Sequence, residues 1–439
     1  MIKRINCLLG LMLFICFGGF AQKQLSLDEA IATALQNNYN IQLSRNDSLV
    51  AALDYSYRNY VFYPTLNANV GTSWTSNDQK QNFSDGTKRE RNGVKSSNIN
   101  ASLGLNWTLF DGLRMFATRE KAAELVKLGE LEIKQQLINT VAEVIGTYYS
   151  IVRQKQQLKA IEEQMSISQV RVDLAQRKLD IGLGTRPDLL QSQVDLNAQK
   201  AARLNQETLI AQLREQLNQQ MGISISTDYD VADSIPFRHD ITLGEVQTQL
   251  TASNPDLQIG QKNIDIASFT IKERKAERWP TLSFNSAYNF SRADNKAVVN
   301  PFQPLFSRNK GYNYGLTASI PIFNGLNSKR LIQQAELDKQ YMQLQFKSLQ
   351  SQLDLQVMNA YKDYEQQQKA LELEESNIAL AKENVQIILE TYRLGQATFL
   401  QLREAQKSLE DGYNRLIAAR YNTKLAETEL LRLKGDLIK

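Results

Sequence analysis

Apolar and polar residues alternate along four stretches of the chain. Alternation with a period of two is typical of β-strands that have one apolar and one polar face. In the first pair of stretches the apolar-face positions are Leu66, Ala68, Val70, Thr72 and Trp74, then Ile99, Ala101, Leu103, Leu105, Trp107 and Leu109. In the second pair they are Leu282, Phe284, Ser286, Tyr288 and Phe290, then Tyr312, Tyr314, Leu316, Ala318, Ile320 and Ile322. Polar stretches at 76–97 and 292–311 separate the members of each pair, so we expect two β-hairpins with long loops.

Apolar residues spaced three and four apart predict helices before and after each strand pair. The shorter helical stretches run from Leu27 to Phe62 and from Leu243 to Arg278, each followed by a proline. Much longer patterns run from Leu113 to Ile181 and from Leu326 to Leu394, nearly 70 residues each, or roughly 100 Å of helix. A second helix follows each of them, from about Arg186 to Met221 and from Phe399 to Lys434. Patterns of this length without caps are typical of coiled coils.

The chain contains two copies of this order of elements. Leu27-Asp28-Glu29-Ala30 returns as Leu243-Gly244-Glu245-Val246, and Tyr63-Pro64-Thr65-Leu66 returns as Trp279-Pro280-Thr281-Leu282, both at an offset of 216. The offset then becomes 213, where Leu109-Phe110-Asp111-Gly112-Leu113 matches Ile322-Phe323-Asn324-Gly325-Leu326, and Tyr148 matches Tyr361. We therefore divide the mature chain into a first repeat at 22–222, a linker at 223–242 and a second repeat at 243–439.

Each pair of long helices is joined by a short break, which predicts a helix hairpin, with tips at 182–188 and at 395–401. Glycine accepts the left-handed conformation that ends many helices, and Gly182 and Gly395 are placed to end the incoming helices. Threonine with a polar residue three positions later fits a capping box. The residues with these roles are Thr185 and Thr398, followed by Asp188 and Gln401, with Pro187 in the first turn of the returning helix.

The four strands of one chain are too few to close a barrel. The smallest closed barrels have about eight strands and are filled by side chains, whereas three protomers would give twelve strands around a water-filled lumen. The small polar residues of one face suit such an interior. The other face suits lipid because it has Trp74, Trp107, Phe284, Tyr288 and Tyr314. A soluble β-sandwich is the alternative for the strands, and a solid coiled coil is the alternative for the helices.

The N-terminus predicts export. Lys3 and Arg4 precede a short apolar run that ends at Gly19-Phe20-Ala21, which is typical of a secretory signal peptide at 1–21. The run is too short to cross a membrane as a helix. Lipidation at Cys16 is an alternative, although Ile15 is bulkier than the residue usually found before a lipidated cysteine.

Composition excludes several chemistries. Both cysteines of the chain, Cys7 and Cys16, lie in the signal peptide, and His239 is the only histidine. The mature chain therefore has no disulfide, and a histidine-based catalytic triad or zinc site is not expected. The net charge of +4 falls to +2 once Lys3 and Arg4 are removed, and no basic stripe suggests nucleic acid. No phosphate-binding loop is present, so we expect neither an enzyme nor a cofactor, and the energy for any transport must come from a partner.

The combined pattern resembles the TolC family of outer-membrane efflux and secretion channels over nearly everything from Leu25 to Asp436. The resemblance is carried by Tyr63-Pro64-Thr65-Leu66, Trp279-Pro280-Thr281-Leu282, Pro321-Ile322-Phe323-Asn324-Gly325 and Tyr392-Arg393-Leu394-Gly395-x-x-Thr398-x-x-Gln401-Leu402. It implies an α+β membrane protein that forms a homotrimer, with a twelve-stranded β-barrel in the outer membrane continued by a twelve-helix α-barrel in the periplasm. It also implies docking of the hairpin tips to a periplasmic adaptor and an inner-membrane pump.

The resemblance further places a periplasmic gate at the second hairpin. Tyr392 matches the gate tyrosine of the family, and Gln401 and Glu404 occupy two positions that are often acidic there, while Ala397 replaces a frequent arginine. The gate candidates are Tyr392, Glu404, Gln401 and Asp188. The docking candidates are Gly182, Leu183, Thr185, Pro187, Gly395, Thr398 and Leu400. Alternatively, Glu404 lies on a solvated helix face and Asp188 only caps its helix.

The expected function is that of a passive exit duct for cargo that is chosen and energised by the pump. The alternative is a structural or adhesive trimer whose coiled coil serves as a stalk. A stalk needs neither a lumen nor a second pair of strands, so the duplicated strand and helix hairpins favour the duct.

Overall fold

A computed structural model of the chain describes residues 24–225, 227–238 and 240–438. The signal peptide expected at 1–21, including Cys16, and the single histidine at 239 lie outside these residues. Among the helices in the described residues, none is both long and apolar enough to cross a membrane.

The same order of elements occurs twice, as the sequence predicts. The helices are α1 (Leu27–Asn37), α2 (Tyr39–Ser56), α3 (Arg114–Asp180), α4 (Arg186–Met221), α5 (Leu243–Ser253), α6 (Pro255–Ala276), α7 (Asn327–Arg393) and α8 (Phe399–Lys434), with a 3-10 helix at Arg58–Phe62. The strands are β1 (Gln24–Leu25), β2 (Thr65–Asn82), β3 (Lys88–Asp111), β4 (Asp230–Val231), β5 (Thr281–Asn295) and β6 (Phe306–Ser319). The predicted bounds of the long helices and of the helices that follow them are confirmed to within one residue.

The predicted loops at 76–97 and 292–311 are wrong in extent. Strand β2 continues to Asn82 and β3 begins at Lys88, so that residues 83–87 alone form the first turn. In the second hairpin β5 ends at Asn295 and β6 begins at Phe306. The reason is that ladder hydrogen bonds join backbone groups, and polar side chains do not prevent pairing where the strand ends face water. Loss of apolar alternation therefore marks the end of the apolar face and not the end of the strand.

The chain divides into two units. The sheet unit comprises Ser48–Gly129 and Gly260–Phe346. Its four strands pair in the order β2-β3-β5-β6 and are antiparallel throughout. Within the described residues β2 and β6 pair on one side only, which leaves both long edges open. The register places Trp107 opposite Phe284 and Leu103 opposite Tyr288, so the predicted apolar side chains share one face.

The other face of the sheet is neutral and polar. A cavity of about 500 Å³ lies against this face, and its lining includes Asn67, Asn106, Asn285 and Asn313, one from each strand. From 65 to 75, 96 to 108, 281 to 295 and 306 to 319, this polar face has no charged side chain. The polar face is therefore concave and lined mainly by asparagine, serine and glycine.

The helical unit comprises the described residues of Met1–Asp47, Glu130–Ile259 and Lys347–Lys439. Its core contains Val144, Ile151 and Leu217. The two-residue strands β1 and β4 pair in parallel, with Leu25 opposite Val231. The buried Tyr148 hydroxyl donates to the Leu25 carbonyl at 2.9 Å and accepts from the Ala232 amide at 3.1 Å, which ties residues near β1 and β4 to α3.

The duplication extends to individual hydrogen bonds. Asn38 lies between α1 and α2, where its side chain donates to the Gln220 carbonyl and accepts from two amides at the start of α2. Asn254 makes the same set of bonds between α5 and α6, donating to the Leu433 carbonyl. The match between Tyr148 and Tyr361 is less exact, because the fully buried tyrosine of the second copy is Tyr364, about one helical turn later.

Candidate functional site at the helix hairpins

Both helix hairpins turn at a left-handed glycine. Gly182 has φ of 75° and Gly395 has φ of 77°. At the first turn the Leu183 amide donates to the Lys178 carbonyl at 2.8 Å, and at the second the Gln396 amide donates to the Thr391 carbonyl at 2.9 Å. These bonds close a Schellman motif at the end of α3 and of α7, as predicted for glycine at these positions.

The returning helices begin at the predicted threonines. Thr398 and Gln401 form a complete capping box, in which the Thr398 amide donates to Gln401 Oε1 at 2.8 Å and the Gln401 amide donates to Thr398 Oγ1 at 3.3 Å. At the first hairpin Thr185 Oγ1 accepts from the Asp188 amide, but the reciprocal bond differs, because Thr185 Oγ1 itself donates to Asp188 Oδ2 at 2.7 Å. Pro187 lies in the first turn of α4. Gln401 and Asp188 therefore have local capping contacts.

The two turns present apolar side chains to solvent. The exposed fraction is 79% for Leu183 and 68% for Leu400, and the neighbouring Ile181 and Leu394 are exposed to a similar degree. We call these four residues the tip surface. Exposed apolar side chains can mark protein–protein interaction sites, so the tip surface is a candidate for contact with a partner.

A charged cluster joins the two hairpins behind the tips. Arg171 of α3 donates to Asp195 Oδ2 of α4 at 2.6 Å and to Gln406 Oε1 of α8 at 2.6 Å. Arg403 of α8 lies 3.5 Å from the same Asp195 oxygen. We call these four residues the hairpin clamp. The Arg171 side chain is only 3% exposed and that of Asp195 is 19% exposed. Burial lowers the pKa of the Arg171 guanidinium, and the Asp195 carboxylate opposes that effect.

A second contact between the hairpins involves the predicted gate tyrosine. Lys178 of α3 donates to the Tyr392 carbonyl at 3.0 Å, and its Nζ lies 3.7 Å from the centroid of the Tyr392 ring. Tyr392 is 4% exposed. Burial raises the pKa of the Tyr392 hydroxyl, the Asp188 charge raises it further, and the Arg171 charge lowers it. The neutral ring therefore faces the ammonium group as a cation–π partner.

The predicted gate residues have different surroundings in the protomer. Asp188 is close enough to Tyr392 for its charge to act on the tyrosine. Glu404 is exposed on α8, and its side chain makes no hydrogen bond or ion pair with any residue that the structure describes. The arrangement thus has a buried part around Tyr392 and an exposed carboxylate at Glu404. Nor do the described residues contain a group of three or more metal-ligating side chains.

The hairpin clamp was missed in the sequence analysis. At the offset of 213 that relates the long helices, Arg171 corresponds to Asn384 and Asp195 corresponds to Ser408. The two copies thus differ in charge at two positions that the fold brings together. The copies also differ in charge elsewhere, as at Lys159 and Glu372, so charge asymmetry alone does not identify the clamp.

The comparison with known proteins decides the family. The sequence pattern of the family described as outer membrane efflux protein matches residues 30–223 and 246–436. The chain belongs to the outer membrane efflux protein family.

Members of the family and solved channels resemble the chain over most of its length. It is 22% identical to the alkaline protease secretion protein AprF of Pseudomonas aeruginosa, over 96% of this chain and 88% of that protein. It is also 22% identical to the outer membrane efflux protein BepC of Brucella suis, over 75% of this chain and 70% of that protein.

Among solved structures, the outer-membrane channel OprN has a TM-score of 0.78 at 16% identity, covering 93% of this chain and 90% of that one. The CmeC outer membrane channel of Campylobacter jejuni has a TM-score of 0.79 at 13% identity, covering 94% and 86%. These likenesses establish the fold of an outer-membrane channel subunit with internal duplication.

Proposed function

We propose that the chain is one protomer of a homotrimeric, passive exit duct. The sheet unit crosses the outer membrane, and the helical unit lies in the periplasm. Cargo reaches the duct from an energised inner-membrane pump through a periplasmic adaptor, and the duct itself performs no catalysis. AprF is named as a secretion protein and BepC as an efflux protein, which supports an export role for this chain.

The open edges of the four-stranded sheet carry this proposal. Strands β2 and β6 are 18 and 14 residues long, and long unpaired edges of this kind promote association. Strands β2 and β6 run in opposite directions, because all three pairings between them are antiparallel. The β6 edge of one protomer is therefore suited to an antiparallel pairing with β2 of the next. Three copies close a cylinder of twelve strands, and no edge remains.

The two faces of the sheet support a water-filled duct. Over residues 65–75, 96–108, 281–295 and 306–319 the concave face has no charged side chain and exposes mainly asparagine, serine and glycine. Such a lining hydrogen-bonds to water without selecting strongly for the charge of a solute. A stalk or adhesin would not need a polar concave face, which favours the duct over that alternative.

We further propose that the helix hairpins form the periplasmic gate. The Lys178–Tyr392 contact and the hairpin clamp hold the α3–α4 hairpin against the α7–α8 hairpin, and release of these contacts opens the duct. In a trimer the exposed Glu404 contributes three carboxylates around the axis, and carboxylate rings favour cations in pores. Asp188 and Gln401 cap their helices and position Tyr392 and Glu404.

Channel formation is tested by purifying the mature protein and reconstituting it into planar bilayers. Light scattering is expected to give a trimer, and the bilayers are expected to show discrete cation-preferring conductance. Glu404→Gln is expected to lower the cation preference while trimer mass is unchanged. Glu410→Gln, an exposed carboxylate farther along α8, is the matched control. A stable monomer with native strand content contradicts the duct, and equal ion preference in all three proteins contradicts the gate assignment.

Docking of the adaptor is tested at the tip surface. Leu183→Asp with Leu400→Asp puts charges where an apolar partner surface would lie, and is expected to abolish export while bilayer conductance remains. Leu183→Met with Leu400→Met keeps the apolar surface and is expected to preserve export. The capping residues Gly182, Thr185, Pro187, Gly395 and Thr398 are left unchanged, so that the turns still form. Normal export by the aspartate variant would contradict docking at the tips.

A further inference from the structure

Three cations lie together on the apolar face of the sheet, near the hairpin end of the strands. The register pairs Arg292 of β5 directly with Arg308 of β6, and pairs Phe290 with Lys310. Since paired residues in an antiparallel sheet project to the same side, all three cations share the face that contains Tyr288 and Tyr312. All three are exposed. We call Arg292, Arg308 and Lys310 the basic triad.

The distribution of charge between the two faces is one-sided. In the paired spans 65–76, 95–108, 281–295 and 306–319 the charged residues are Lys95, Arg292, Asp294, Arg308 and Lys310, and all of them lie on the apolar face. The concave polar face, where water would solvate a charge at little cost, has none in these spans. A role in solubility or in the lumen does not explain cations placed only beside apolar side chains.

The triad is also poorly neutralised. Directly opposed like charges destabilise an antiparallel pair, and Arg292 and Arg308 lie on neighbouring strands about 4.8 Å apart. Asp294 pairs with Arg292 at 2.8 Å. The side chains of Arg308 and Lys310 have no acidic partner among the residues that the structure describes. A bound anion between them would remove the repulsion.

The part of the apolar face beside the basic triad indicates which kind of anion would bind there. From the triad toward the helix end of the strands, the same face continues with uncharged residues, including Tyr312 stacked on Tyr314 with ring centroids 6.4 Å apart. Aromatic residues of this kind lie at the level of lipid headgroups, with apolar side chains below them against the acyl chains. Guanidinium groups bind phosphate oxygens in a bidentate geometry.

We propose that the basic triad binds the phosphate groups of a phosphorylated lipid in the outer leaflet, whose acyl chains lie along the apolar face. The proposal rests on the proposed placement of the sheet unit in the outer membrane. A free phosphate ion would satisfy the cations alone, whereas the lipid satisfies the cations and also covers the adjoining apolar surface.

The test measures lipid retention by native mass spectrometry of the full-length trimer. Trimers are incubated with diphosphoryl lipid A, with monophosphoryl lipid A or with phosphatidylcholine. Arg308→Gln with Lys310→Gln removes two cations. Because each basic residue near anionic lipid contributes about a fivefold preference, the double variant is expected to bind diphosphoryl lipid A about 25-fold more weakly. Wild type is expected to prefer the diphosphoryl over the monophosphoryl form, and both over phosphatidylcholine.

Two controls separate the triad from general electrostatics. Lys88→Gln with Arg89→Gln removes the same charge at the turn of the first hairpin and is expected to bind lipid like wild type. Arg308→Lys keeps the charge and is expected to retain most of the binding. The proposal would be overturned if the Lys88/Arg89 and Arg308/Lys310 double variants lost lipid binding to the same extent. Complete displacement of the lipid by inorganic phosphate would also overturn it. Bilayer conductance is recorded for every variant, so that failure of the lipid site is distinguished from failure of the channel.

Discussion

Replacement of Asp195 by asparagine tests how far the buried charge of the hairpin clamp holds the two hairpins together. Asparagine keeps the shape of Asp195 and one oxygen acceptor, but it removes the negative charge that lies 2.6 Å from Arg171. The Arg171 side chain is 3% exposed, so its guanidinium would remain buried with only amide oxygens around it. Breaking a buried ion pair by removing one partner costs about 3–5 kcal/mol. Because Gln406 still accepts from Arg171, we expect the lower end, about 3 kcal/mol.

Removal of the cation is expected to cost less than removal of the anion. In Arg171→Met the Asp195 carboxylate keeps Arg403 at 3.5 Å and remains 19% exposed, so that water and a second cation both stabilise it. We expect a loss of about 1 kcal/mol. The double variant, Arg171→Met with Asp195→Asn, contains no buried charge at this position and is expected to be more stable than Asp195→Asn alone.

Hydrogen exchange of the intact trimer measures these differences locally. Amides of α3 near Arg171 and of α8 near Gln406 are expected to exchange more than 100-fold faster in Asp195→Asn, and about fivefold faster in Arg171→Met. Amides of the sheet unit serve as the internal control and are expected to be unchanged. The reasoning is refuted if Asp195→Asn exchanges no faster than Arg171→Met, or if the double variant is less protected than Asp195→Asn.

Three further outcomes are expected. Lys178→Met removes the contact with the Tyr392 carbonyl and ring and should raise the open probability in bilayers about tenfold, whereas an unchanged open probability would exclude this contact from the gate. Gly222→Ala should lower the free energy of unfolding by at least about 2 kcal/mol, because φ is 66° and the new Cβ would lie 2.4 Å from the Asn37 carbonyl oxygen. Gly244→Ala is the control, since open space surrounds Gly244, and it should not destabilise the protein. Equal melting temperatures for the two variants would contradict the steric requirement for glycine at position 222. Burial opposes ionisation of Asp230, but Lys155 at 2.8 Å holds the pKa of this carboxyl below its ordinary value of 3.8. The contribution of the Asp230–Lys155 pair to stability is therefore present above pH 3.8 and is lost as the pH falls through the lower pKa of the folded protein. The melting temperatures of wild type and Asp230→Asn should differ at neutral pH and converge in acid.

Much of the helical architecture could be read from the sequence because its determinants are local. The ends of α3 and α7 depend on a glycine that adopts the left-handed conformation within one turn, and the starts of α4 and α8 depend on Thr185 and Thr398, which bond to amides three residues away. Hydrophobic period and capping chemistry act over a few residues, so that the printed sequence contains them in full. The assignment of aromatic residues to one face of the sheet is local in the same sense, since it follows from the alternation along each strand.

Contacts between distant residues were decided only by the tertiary structure. Arg171 meets Gln406 across 235 positions and Asp195 across 24, and Tyr364 rather than Tyr361 became the buried counterpart of Tyr148. The alternation of apolar and polar residues did not predict the strand lengths either, because pairing beyond the apolar face depends on backbone hydrogen bonds to a partner strand. The sequence by itself determined which local element each segment forms. The packing of these elements decided which side chains form the buried ion pair. The pairing of the strands decided which cations lie on the same face of the sheet.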